Sequence, residues 1–427
     1  MFELAVVLTR YLMIIYIVAF FFVTPRMQKL IVLLLHSTAF TILAYNNKDK
    51  ETLLIAIAGF IFILVASKAL DWAYKDSNKN LWNIMFFLMD IGLIMITRLN
   101  IPLAQRQLLW FGVGIAAVLC IPMALKIFKY FDKFRYIYLI LSAVLICSPF
   151  LIGRQIYGSV NWVSIGDFSF QPSEIVKFLF VFYLASTFRR DLNFKKIIIS
   201  AVISAGFVLT LVYQRDLGGA LIFFMTYMLM MYGATGNAVL FGIGMAAFSV
   251  ASVAAFHMFP HVQVRVEAWL NTWSTIDTSG YQIALGLFSI GTYGFLGSGL
   301  TLGYPNYNSV VERDMIFAAI CEEFGSLFGV LLILLYLRMF YRGMEISLKA
   351  SSKFYSLIAL GFSVILAFQT FLILGGILRV IPLTGVTLPF ISYGGSSVVV
   401  VLLMVGILQW IHSQNMKEHE EFLNQEL

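Results

Sequence analysis

Charge is what this sequence has least of. Of its 427 residues, 12% are Asp, Glu, Lys or Arg, where a soluble domain carries about 25%. Hydrophobic residues make up 60%, and the mean hydropathy is +0.89. No stretch is long and polar enough to hold a soluble domain; the longest candidate, 257–313, is rich in Gly, Tyr and Thr. A water-soluble enzyme is excluded, and the length reads as a number of membrane helices. Cysteine is scarce too. Cys120, Cys147 and Cys321 fall in or beside apolar runs without metal-ligand spacing, and read as small core residues. Also missing is a small-residue cleavage site after the first apolar run, which therefore reads as a retained helix rather than a signal peptide.

The net charge of +7 does not point to a nucleic-acid partner. The Lys and Arg sit in short clusters between apolar runs, the distribution that orients a membrane protein. A spanning helix needs about 20 apolar residues. Thirteen candidates lie near 5–24, 28–46, 52–70, 82–97, 108–126, 136–152, 174–188, 196–213, 217–233, 237–256, 314–338, 354–378 and 386–411. The expected fold is an all-α polytopic membrane protein with one long extracytoplasmic loop, 257–313. Basic loops around Lys126, Lys129, Lys133 and Arg135, around Arg189, Arg190, Lys195 and Lys196, and around Arg338, Arg342, Lys349 and Lys353 share one side and are assigned to the cytoplasm. The tail 416–427 joins them, and the N-terminus falls outside, an orientation that Arg10 and Arg26 fit poorly. On this topology four polar segments share the outer side: 153–173, Gln214–Gly218, 257–313 and Arg379–Ser397.

The last of these carries Leu383-Thr-Gly-Val-Thr-Leu-Pro-Phe-Ile-Ser-Tyr-Gly-Gly-Ser-Ser397, with Pro382 before it. In hydrocarbon every backbone polar group must be paired internally, so broken helix survives only where it is buried in protein or lines a cavity. The segment reads as a re-entrant or unwound entry to the final helix, facing a site.

Few residues are equipped for chemistry. Glu174 and Lys177, spaced i, i+3 after Pro172, share a helix face at the start of an apolar span. They are either a self-satisfying salt bridge or a functional intramembrane pair. Asp216 opens a helix and is favoured there by the helix dipole alone. Asp277 lies in Trp273-Ser-Thr-Ile-Asp-Thr-Ser-Gly-Tyr-Gln282, where Gly280 permits a tight turn. It reads as a turn residue or a general base. Asp314 reads as an N-cap, and Glu322 and Glu323, two turns further on, need partners or water. His257 and His261 are spaced i, i+4 but have no third metal ligand, so an interfacial role is expected.

Taken together, these segments resemble the SEDS (shape, elongation, division and sporulation) family, the FtsW/RodA/SpoVE-like membrane proteins. Asn161-Trp162 with Phe170-Gln-Pro-Ser-Glu-Ile-Val-Lys177 resembles the family's RW…FQPSE..K block. Gln214-Arg-Asp-Leu-Gly-Gly-Ala220 resembles Q-P-D-L-G-T-A, and Asp314-Met-Ile-Phe-Ala…Glu322-Glu-Phe-Gly325 resembles D-F-I-F-A…E-E-x-G. Leu383–Ser397 is close to TG-x-x-LPF-ISYGGSS. The resemblance covers about 82–411. It implies a ten-helix core over 81–415, preceded by about three additional N-terminal helices over 1–80. The chain departs from the pattern at Asn161, where a basic residue is usual, and at Arg215 for proline, Thr278 for proline, Arg313 for threonine and Cys321 for glycine. The usual Pro-Glu is absent at Ser309-Val310.

The resemblance implies a peptidoglycan glycosyltransferase of the bacterial cytoplasmic membrane, polymerising lipid II at the outer face in elongation, division or sporulation. Asp277, through Gly280-Tyr-Gln282, matches the family's proposed catalytic carboxylate and would be the general base. Lys177, Arg154 and Arg379 would offset the leaving pyrophosphate. Glu174, Trp162, Gln282, Asp216 and Ser396 complete the expected substrate-binding set. No metal ligand cluster is visible, although a divalent cation, Mg or Mn, could assist. The expected partners are lipid II, membrane lipids and a separate class B penicillin-binding protein. The rival reading is a lipid-II flippase, with the same charges lining a path.

Overall fold

This computed structural model describes residues 2–426 other than 128–129, 157–158, 166–167, 190–192 and 308–309, and the backbone alone for 2–6, 127, 154–156, 159–160, 165, 168, 419 and 422–426. The expected basic residues Lys129 and Arg190, and Ser309 of the departure at 309–310, lie outside the described residues.

Three helices come first: α1 (Phe2–Phe22), α2 (Pro25–Asn47) and α3 (Lys50–Ala73). Next are α4 (Lys79–Leu99), α5 (Ile101–Ile127) and α6 (Arg135–Ile152). A small antiparallel sheet, β1 (Gly153–Ile156), β2 (Ser159–Ile165) and β3 (Phe168–Phe170), follows in the order β1-β2-β3. The chain continues through α7 (Pro172–Phe188), α8 (Phe194–Tyr213), α9 (Leu217–Thr235) and α10 (Ala238–Met258). Two short helices, α11 (Pro260–Leu270) and α12 (Tyr281–Thr292), break the long loop. The last four are α13 (Ile316–Phe324), α14 (Ser326–Lys349), α15 (Lys353–Ile377) and α16 (Gly395–Glu426).

Several helix starts are written locally. Pro25 and Pro172 occupy first-turn positions that need no N–H donor. Asp49, Asn78, Asp216 and Asn237 each accept a backbone N–H at a helix start. Asp314 does not cap as expected: α13 begins only at Ile316, and Met315 holds the cap position with no side-chain bond. The span expected over 314–338 is split at Gly325, whose φ of +93° breaks the helix between α13 and α14. The final helix starts at Gly395 rather than 386. The i, i+4 spacing of His257 and His261 does not share a helix face, because Pro260 ends one helix and starts another.

Among the described residues, eleven helices are long and apolar enough to cross a membrane. The apolar part of α1, Val7–Phe22, is shorter, and α7 has 17 residues, so the expected count of thirteen is not reached on length alone. Helix α4 is buried from Leu81 to Thr97 and forms the centre; a helix apolar all round belongs inside. Around it α5 runs along α16, α6 along α7 and α14 along α15. By contrast, α10 has no buried residue.

The first three helices dock on this core through α2 against α4 and α1 against α14. Buried His36 of α2 meets Asp90 of α4 with Nδ1 2.6 Å from Oδ1, and its Nε2 lies 2.9 Å from the Ala56 carbonyl oxygen. Both ring nitrogens face oxygen, so Nε2 must carry a proton and the Nδ1–Asp90 contact must share another. Asn83 donates to Gln28 and to the Pro25 carbonyl. Arg10 reaches Gly297 O at one end of α1, and Arg338 reaches Phe21 O at the other. Arg10 thus sits with the 257–313 loop, while Arg26, after Phe21, sits at the end of the bundle that carries Arg338 of a basic loop. Arg26 therefore lies on the side of the basic loops, whereas Arg10 lies at the opposite end, the side on which the basic-loop rule does not expect a cation.

Candidate active site

The four outer segments meet around a cavity of about 430 Å³. Asn161, Trp162 and Gln171 come from the β2–α7 region, Arg215 and Asp216 from the turn before α9, and Arg265, Gln282, Arg313 and Asp314 from the long loop. Leu383–Thr387 with Tyr393, Gly394, Ser396 and Ser397 complete the wall.

The unwound segment is satisfied by side chains rather than by a ladder. Gln369 donates to the Thr387 carbonyl at 2.9 Å, and the Thr387 and Ser397 hydroxyls lie 3.0 Å apart. The Ser392 hydroxyl accepts from Leu388 N at 2.9 Å and donates to Arg313 O at 2.6 Å. Tyr336 donates to Pro389 O at 2.6 Å, and Tyr393 N donates to Glu312 O at 2.9 Å. This is how non-helical backbone survives at membrane depth. Gly92 of α4 makes room for it: a Cβ there would lie 2.7 Å from Ile391 O.

Glu174 and Lys177 both line the cavity and are buried. Lys177 Nζ lies 2.9 Å from the Glu174 carboxylate and donates to Gln369 Oε1 at 3.1 Å. The pair is mutually neutralised, and through Gln369 it supports the unwound segment. Asp216 is a true N-cap, accepting from Gly219 N at 2.8 Å. Its other oxygen accepts from Asn161 at 3.0 Å and Gln171 at 2.8 Å. Asn161, the departure from a basic residue, therefore supports a carboxylate and brings no charge.

The cations the cavity gains are those sequence reasoning passed over. Arg215 and Arg313, both departures, line it with Arg265. The Arg313 guanidinium lies 5.9 Å from the Trp162 ring centre and 5.5 Å from that of Tyr393, within cation–π range. Arg265 donates to Leu383 O at 3.2 Å; burial lowers its pKa, and the nearby Asp216 and Asp314 oppose that. Asp314 is half-buried and lines the cavity. Burial pushes its carboxyl up to about 6, although Arg313 and Arg265 pull it down. The substitutions at 215 and 313 were the available signal; only the fold shows that they share a wall with Arg265.

Other expected residues stand elsewhere. Asp277 is exposed on the turn before α12 and does not line the cavity, although Ser279, Gln282 and Ile283 beside it do. Gly280 is needed there for a close approach, not for a left-handed φ: a Cβ would lie 2.5 Å from Thr272 O. Arg379 is outside the lining; its guanidinium donates to the carbonyls of Trp269 and Leu270, each at 2.8 Å, and so clamps α11. The Arg154 backbone pairs with Trp162, but its side chain lies outside the described residues. Ser396 lines the cavity and its hydroxyl accepts from Gln171 N at 3.4 Å. Glu322 and Glu323 find partners away from the cavity: Glu322 accepts from Tyr304 N at 2.6 Å and Glu323 from Arg98 at 3.0 Å. Among the described residues, no three His, Cys, Asp or Glu come together as a metal site.

The sequence profile of the FtsW/RodA/SpoVE family, described as "Cell cycle protein", matches residues 78–417. The chain is 31% identical over 357 residues to peptidoglycan glycosyltransferase RodA of Mycobacterium tuberculosis, covering 76% of each chain. It is 30% identical over 371 residues to stage V sporulation protein E of Bacillus subtilis, covering 84% of this chain and 93% of that one. A solved structure titled "Structural coordination of polymerization and crosslinking by a peptidoglycan synthase complex" contains a chain of the same fold. The TM-score is 0.69 at 23% identity, over 79% of this chain and 98% of that one.

Proposed function

The chain belongs to the FtsW/RodA/SpoVE family of cell cycle proteins, and from that membership we infer that it is a multi-pass membrane peptidoglycan glycosyltransferase. The carrying observation is the cavity beside the long loop, where Arg215, Arg265 and Arg313 accompany the carboxylates Asp216 and Asp314.

The substrate is lipid II, polymerised at the extracytoplasmic face during elongation, division or sporulation. Its leaving group is a polyprenyl pyrophosphate, whose charge grows as the glycosidic bond forms. Arginines fixed by backbone and aromatic contacts suit that charge without reorganising during the reaction. Asp277, at the rim beside Ser279 and Gln282, takes the proton from the acceptor sugar hydroxyl. That hydroxyl attacks the donor's anomeric carbon opposite the pyrophosphate and inverts it. Asp314 is a second candidate base, favoured by its place in the wall and its pKa of about 6. Glu174, Lys177, Trp162, Gln282, Asp216 and Ser396 shape the subsite; Arg379 holds α11 in place from outside it. A separate class B penicillin-binding protein supplies cross-linking.

The test uses the purified chain and that partner in proteoliposomes with labelled lipid II. Glycan polymer is expected. Lipid II crossing the bilayer with no polymer formed would replace this reading with the flippase.

A further inference from the structure

At the end of the bundle opposite the active-site cavity, a second cavity of about 250 Å³ opens between the first three helices and the core. Arg26 and Lys29 of α2 and Lys79 of α4 line it, with Asp71 and Ser67 of α3 and Trp82, Asn83 and Phe86 of α4. Lys68 adds a fourth cation within electrostatic reach of Lys29. Arg26, Lys29 and Lys79 make no hydrogen bond or ion pair among the described residues; Asp71 is the sole carboxylate in the lining. The rule that puts cations on the cytoplasmic side asks only that they occupy that side. It does not ask cations from two helices to converge on one cavity with a single carboxylate between them.

The floor is finished differently. Asn83 is turned inward to Gln28 and Pro25 O, and Trp82 to Ser77, while Phe86 leaves an apolar base. Beside the mouth, Trp72 is 82% and Phe22 86% exposed. An exposed tryptophan next to Asp71 marks the level of the lipid headgroups. Unpaired cations at headgroup depth, beside the exposed Phe22 and Trp72, match a phosphodiester whose acyl chains run down the outside of the helices.

We propose that this cavity binds the phosphate of an anionic phospholipid headgroup in the cytoplasmic leaflet, joining the first three helices to the core. Basic pockets between membrane helices on that side are suited to such headgroups. A free phosphate ion would share the chemistry but would not need the exposed aromatics beside the mouth.

The test is native mass spectrometry of the delipidated full chain in a non-ionic detergent. The probes are dioleoyl phosphatidylglycerol and dioleoylglycerol, with inorganic phosphate as competitor. Phosphatidylglycerol should be retained and dioleoylglycerol should not. The triple variant Arg26→Gln, Lys29→Gln, Lys79→Gln should weaken retention about tenfold or more. A charge-matched control at the other end, Lys48→Gln, Lys50→Gln, Arg106→Gln, should leave it unchanged. Lys79 is exposed and unbonded, so Lys79→Glu alone should weaken retention without loss of folding. Equal retention by wild type and the triple variant would overturn the proposal. Displacement of the lipid by millimolar phosphate would overturn the headgroup as the source of the anion.

Discussion

Replacing Gly92 by alanine probes whether the unwound segment is held against α4. A Cβ there would lie 2.7 Å from Ile391 O, 2.8 Å from Ile391 Cα and 2.9 Å from Phe390 O. All three are backbone atoms, so no side-chain rotation relieves the overlap, and either the segment or the helix must move. Overpacking of this kind costs about 1–3 kcal/mol, against which alanine gains up to about 1 kcal/mol over glycine inside a helix. Gly112 of α5 is the control, because a Cβ there meets nothing within 4 Å. Gly112→Ala should be neutral or stabilising, and the two variants should differ by about 1–3 kcal/mol although the chemical change is the same. Thermal unfolding in detergent measures the difference. Polymerisation should separate them further. A shift at Ile391 is passed to Ser392, which holds the Arg313 carbonyl at 2.6 Å, and a misplacement of about 1 Å can cost well over tenfold in rate. Equal melting and equal activity would refute the packing argument.

Breaking the His36–Asp90 pair one residue at a time should cost about 3–5 kcal/mol, because each single change leaves a buried polar partner. His36→Leu with Asp90→Leu should recover most of that loss, and a double-mutant cycle of unfolding free energies measures the coupling. Asp314 should take up a proton as pH falls through about 6. Losing a negative charge beside Arg265 and Arg313 should lower KM for lipid II below that pH, and Asp314→Asn should flatten the dependence. The same raised pKa makes the fold more stable, not less, as pH falls from about 6 towards 4, since there the folded state binds the extra proton. Arg379→Lys should cost about 1–2 kcal/mol of stability by weakening the clamp on α11, with KM for lipid II little changed.

The helices from α2 to α10 were legible because runs of apolar residues leave little choice of structure. Their observed ends fall within a few residues of the expected ones, apart from α5, which starts at Ile101. The convergence of the polar segments followed from topology alone. What stayed hidden depends on three-dimensional neighbours. Asp314 and Asp216 occupy similar sequence settings, yet only Asp216 has its oxygens filled by a cap, Asn161 and Gln171. Arg379 looked like a free cation until Trp269 and Leu270 were seen to occupy it. His36 and Asp90 sit 54 residues apart in helices that are otherwise ordinary apolar spans, and no spacing rule links them. The split at Gly325 was hidden because an apolar run resumes at Leu327, and a lone glycine after Glu322-Glu323 does not by itself end a helix.

The most direct test of the account is polymerisation of labelled lipid II by wild type, Asp277→Asn and Asp314→Asn, each with its class B penicillin-binding partner. The account predicts polymer from wild type, none from Asp277→Asn, and reduced but measurable polymer from Asp314→Asn. Wild-type levels of polymer from Asp277→Asn would contradict it.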